Sequence, residues 1–65
     1  MSDFELGIFY AAALLVTLHD EPTLAVDILN EAGLLSSDIS ELDATEMEAM
    51  IKLSKADSRC EFTGI

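Results

Sequence analysis

Ser2 to Gly33, SDFELGIFYAAALLVTLHDEPTLAVDILNEAG, reads as two helices joined by a tight turn. Ser2 followed three residues later by Glu5 has the form of a capping box, in which hydroxyl and carboxylate satisfy backbone donors that a helix start leaves orphaned. The first helix therefore begins near Asp3. It runs to about His19, with Asp3 and Glu5 at the positive end of the dipole and His19 where a cation is favoured. Between Glu5 and Asp20 there is no acidic residue, Lys or Arg. A helix with almost no polar face must be covered on most sides. Pro22 suits the first turn of a second helix, with Asp20 or Glu21 as its cap. That helix extends to about Ala32, with Ala25, Ile28, Leu29 and Ala32 on one face, Leu24 and Val26 bordering it, and Asp27, Asn30 and Glu31 pointing away. Gly33 is a good residue for a left-handed helix end, and Leu34 can supply the apolar contact of a Schellman motif. The short link makes the two helices antiparallel neighbours, a helical hairpin.

Beyond the hairpin, Leu35 to Asp43 reads as a connector in which Ile39 and Leu42 tuck inward, with room for one short helical turn. Asp43 stands three before Glu46 and repeats the capping logic, so a third helix spans about Ala44 to Ala56. Its apolar residues are Ala44, Met47, Ala49, Met50, Ile51 and Leu53. Glu48 precedes Lys52 by four, the favourable order for an ion pair. Gly7, isolated within the first helix, reads as a point of close helix approach. Residues 59–65 form a C-terminal tail, expected to be loosely held, although Phe62 and Ile65 could lie back on the hairpin.

The whole is a single all-α domain over residues 1–58, a helical hairpin plus a third short helix. Its 65 residues carry 13 acidic and 3 basic side chains, a formal charge of −10, and 51% of them are apolar. High charge usually accompanies disorder, but a mean hydropathy of +0.36 supplies enough apolar surface for a folded core. A domain this small hides only about 60% of the surface its unfolded chain exposes. Some apolar side chains should then stay uncovered, which predicts a homo-oligomer, most simply a dimer, together with a further protein partner. The interface residues expected on the first helix are Phe4, Ile8, Tyr10, Leu14, Leu15 and Leu18. The alternative is a monomer in which the other two helices wrap the first.

Chemistry of other kinds finds little footing. His19, Asp20 and Glu21 are consecutive around a turn and diverge, so a metal site is not expected, and there is no phosphate-binding glycine loop. No cofactor or catalytic residue is expected, and the chain reads as a non-enzyme. Cys60 is the sole cysteine and forms no intrachain disulfide, which suits a reducing cytosol. The longest apolar run, Ile8 to Val16, is too short to cross a membrane, no leader or lipidation pattern is seen, and anionic lipid would repel the surface. Direct nucleic-acid binding is opposed by charge, since residues 1–51 hold no Lys or Arg. The same acidity allows a second reading, an inhibitor that imitates DNA by presenting Asp27, Glu31, Asp38, Glu41, Glu46 and Glu48 to a basic groove. Simple solubility is the plainer explanation of those charges. Met47 and Met50 suit either ordinary core or an adaptable contact surface, and the ending Phe62-Thr63-Gly64-Ile65 has the form that strand-adding grooves accept.

Tyr10 to Gly33, YAAALLVTLHDEPTLAVDILNEAG, followed by a short acidic helix, resembles the small helical accessory proteins encoded in early regions of temperate, lambda-like bacteriophages. The resemblance covers part of the chain and rests on size, acidity and the hairpin, so it assigns no site residues. It implies a cytosolic host-takeover or developmental-regulation factor that works by binding protein.

Overall fold

The first helix opens as its sequence requires. In the computed structural model, which describes residues 1–65, Ser2 accepts from the Glu5 amide and Glu5 accepts from the Ser2 amide, and α1 spans Asp3–Thr17. The helix ends two residues earlier than His19. The Leu18 N–H still bonds Leu14, but Asp20 turns left-handed at φ 50°, and the Glu21 N–H reaches back to the Leu15 carbonyl at 2.9 Å. That bond satisfies an orphan carbonyl of α1 while starting the next element, and it fixes the hairpin angle. Helix α2 follows over Pro22–Glu31. Its cap departs from expectation, because neither Asp20 nor Glu21 supplies a side-chain hydrogen bond. Pro22 has no N–H to satisfy, and the amides behind it lie among exposed residues where water serves. The Schellman ending is present: Gly33 sits at φ 73°, its N–H bonds Asn30, and the Leu34 N–H bonds Leu29 at 2.9 Å.

Helix α3 covers Ala44–Ala56, with the Asp43 carboxylate accepting from the Glu46 amide at 2.9 Å. The three helices enclose one core of thirteen residues, among them Phe9, Ala12, Ala13 and Val16 of α1, Ala25, Val26 and Leu29 of α2, and Ala49, Met50 and Leu53 of α3. Alanines on the inner side of α1 remove bulk between helices, and the connector completes the core with Leu34, Ile39 and Leu42. The inward face of α2 is rotated from the expected one. Val26 is fully buried and Ile28 lies outside, because α2 packs against α1 and α3 together rather than against α1 alone.

Three further expectations are corrected. The tail is not loose: the Glu61 N–H bonds Leu35 at 2.8 Å, the Thr63 N–H bonds Ser37, and the Ile39 N–H bonds Thr63, forming a short parallel bridge. Phe62, between those two bonded residues, faces the core and meets Phe9 edge-on at 6.0 Å. Ile65 remains exposed. Gly7 is no close-approach point within the chain, since a Cβ placed there would meet nothing within 4 Å. The Glu48–Lys52 pair is not formed; the ion pairs are Met1 with Glu41 and Arg59 with Asp27 and Asp57, consistent with how little an exposed helix pair gains.

Candidate interaction surface

A helix lying on one side of a three-helix core keeps its opposite side in water. On α1 that outer side runs through Phe4, Gly7, Tyr10, Ala11, Leu14 and Leu18, spaced by three or four residues so that they share one face. Phe4 is 70% exposed, Leu18 71% and Tyr10 56%. Leu14 is half-buried. Ile8 and Leu15, expected beside them, are half-buried and pack against the core, so they form the inner margin of the stripe. Leu24 and Ile28 of α2 are also exposed, although helical spacing puts them in or beside the packed face.

Between α1 and the start of α3 lies a hollow of about 220 Å³. Tyr10, Ala13, Leu14 and Thr17 make its α1 side, while Asp43, Thr45 and Glu46 make the other. Burial, and secondarily the Asp43 carboxylate, push Glu46 above the ordinary carboxylate value. Two carboxylates therefore overlook an apolar floor, with the three Lys and Arg residues placed elsewhere. Asp43 could be read in the sequence only as a cap, because the hollow depends on how α3 crosses α1.

The six carboxylates proposed for a charged face divide among separate neighbourhoods. Asp27 pairs with Arg59 at 3.3 Å, and Glu41 binds the Met1 amino group. Asp38 turns onto the Ser40 amide, whose hydrogen bond holds it below its usual value. Glu46 faces the α1 hollow, and Glu31 and Glu48 are exposed on α2 and α3. His19, Asp20 and Glu21 are exposed on the turn, and no group of three or more His, Cys, Asp or Glu side chains converges as a metal-binding set. Burial, and secondarily Asp57, raise the Cys60 thiol above its usual value and outweigh Arg59, leaving little thiolate at neutral pH. A second recess, of about 500 Å³, is an open surface depression lined by Asn30, Gly33, Leu35, Ser36, Arg59 and Glu61. Arg59 there is already engaged by Asp57 and Asp27. No helix is long and apolar enough to cross a membrane. Compared with known proteins, the chain matches no family model, no curated protein and no solved structure.

Proposed function

We propose that the protein is a non-enzymatic interaction module, a cytosolic regulatory adaptor whose α1 outer face binds another polypeptide. One observation carries the reading: the exposed apolar residues Phe4, Tyr10 and Leu18 share an uncharged helix side on a molecule of net charge −10. Scattered exposed apolar residues need no explanation, whereas a stripe on one element marks a contact surface. The covering chain is a second copy or a different protein. The resemblance to phage accessory proteins adds that a different protein would be a host factor. The DNA-mimic reading gains no support from carboxylates divided among separate neighbourhoods.

Photo-cross-linking in cells tests the proposal. A benzophenone amino acid at Tyr10 should give a discrete protein adduct that the same group at Glu48 does not give, and the adduct's mass reports whether the partner is a second copy. Equal labelling from both positions would remove the α1 face as the binding surface.

A further inference from the structure

We infer that the α1 face takes a cationic amphipathic helix, its apolar side along Phe4, Leu14 and Leu18 and a Lys or Arg reaching the Asp43–Glu46 wall. This rests on the reading of α1 as a binding surface and names the chemistry of the occupant. Charge complementarity is the first argument. The stripe is uncharged along its length and acidic at its edges, with Asp3 at one end, Asp20 and Glu21 at the other, and Asp43 and Glu46 along one side. Every Lys and Arg of the chain lies in α3 or the tail, and the Met1 ammonium is taken up by Glu41. A Lys or Arg stem laid on the Leu14 floor would bury its methylenes while its head met two carboxylates.

Area is the second argument, and it decides against a second copy. A stable protein pair buries about 800 Å² per partner, about a fifth of the 3905 Å² that this molecule exposes. A single face of a fifteen-residue helix, about 22 Å long and about 10 Å across, offers only on the order of 200 to 300 Å². Two copies meeting there would have to recruit the flanking surface. Both copies carry Asp3, Asp20, Glu21, Asp43 and Glu46 at the ends and along one side of the stripe, so enlarging the contact there would bring like charges together. A basic helix brings opposite charge to the same edges, so enlarging its contact adds attraction where a second copy would add repulsion. Gly7 and Ala11 leave the middle of the stripe shallow, so an incoming helix can settle close to the α1 backbone.

The experiment titrates the full chain with a synthetic peptide of about 18 residues, built from Leu and Lys with Leu at helical i, i+3, i+4, i+7 spacing. A scrambled peptide of the same composition is the control. Amide chemical shifts locate the site and calorimetry gives affinity. The patterned peptide should bind at least tenfold tighter than the scrambled one, with shifts confined to α1 and to residues 43–46. F4Q/L18Q should weaken it at least fivefold at unchanged net charge. D43N/E46Q should weaken it by a similar factor and flatten its salt dependence, with the α3 cap intact because Asn caps as well as Asp. Melting curves matching the wild type would show both variants folded. Equal binding of the two peptides, or shifts spread over the acidic surface, would overturn the proposal as mere charge attraction. Sedimentation showing a micromolar dimer with α1 protected would overturn the cationic occupant while leaving the interaction surface standing. No peptide binding together with no Tyr10 adduct in cells would sink both.

Discussion

At the scale of single residues, Phe9 holds the molecule together. It is fully buried, it lies on the inner side of α1, and it receives the edge of Phe62 from the far end of the chain. Phe9→Ala should cost about 3 to 5 kcal/mol, because the cavity is surrounded by three elements that cannot all collapse into it. For a domain this small that approaches the whole stability, and chemical denaturation would show the loss directly. Gly7 behaves oppositely. It sits inside a helix with open space beyond its α-carbon, so Gly7→Ala should stabilise by about 0.5 to 1 kcal/mol, read as a higher midpoint in urea. Gly64 admits no such change. Its φ is 79° and a Cβ would overlap an Asp38 oxygen and crowd the Ser40 amide, so Gly64→Ala should loosen the tail and lower amide protection at Thr63. A protected Thr63 amide in that variant would contradict the geometry.

At the scale of elements, the helix boundaries were legible because they are written in short-range chemistry. Ser2 with Glu5, Pro22, Gly33 and Asp43 each act on backbone groups within a few residues, and each marks a boundary within a residue or two of where it stands. Features set by long-range contact were not legible. Val26 turns inward because α2 has two neighbours, Phe62 is captured because the connector offers the carbonyls of Leu35 and Ser37, and Asp43 overlooks a hollow because α3 crosses α1. The residues expected at an interface divide by the same rule: Phe4, Tyr10 and Leu18 face water, while Ile8 and Leu15 are partly absorbed by the core. The docked tail makes a testable difference. Removing residues 60–65 should cost about 1 kcal/mol for the half-buried Phe62, plus the lost backbone bonds to the connector. A truncated chain that melts with the full-length one would show the tail to be idle.

At the scale of the whole molecule, charge and cohesion oppose each other. A formal −10 is carried by a particle of 25 × 21 × 21 Å, so self-repulsion acts across distances comparable to the Debye length. Raising salt from about 10 to 150 mM should therefore raise the melting temperature, because screening shortens the reach of repulsion more than it weakens the few ion pairs. Acid acts in two stages. From neutrality down to about pH 5, protonation begins to relieve repulsion, and Glu46 assists: its folded value is raised, so its proton is bound more readily in the folded chain and its burden on stability lessens as pH falls. Below that, Glu5, Asp38 and Asp57 dominate. Their folded values are depressed by hydrogen bonds from Ser2, Ser40 and Arg59, so what they contribute is fully present above the ordinary carboxylate range. It is lost as pH falls from that range, near 4, through the depressed values. The melting temperature should thus pass through a maximum between neutrality and about pH 4, then drop. Asp57→Asn separates the two stages, since it removes one negative charge and one of the depressed groups together. Its melting curve should show a smaller acid-side drop than the wild type while keeping the rise between neutrality and about pH 5, and an unchanged acid-side drop would mean that the Arg59 clamp contributes nothing to the folded state.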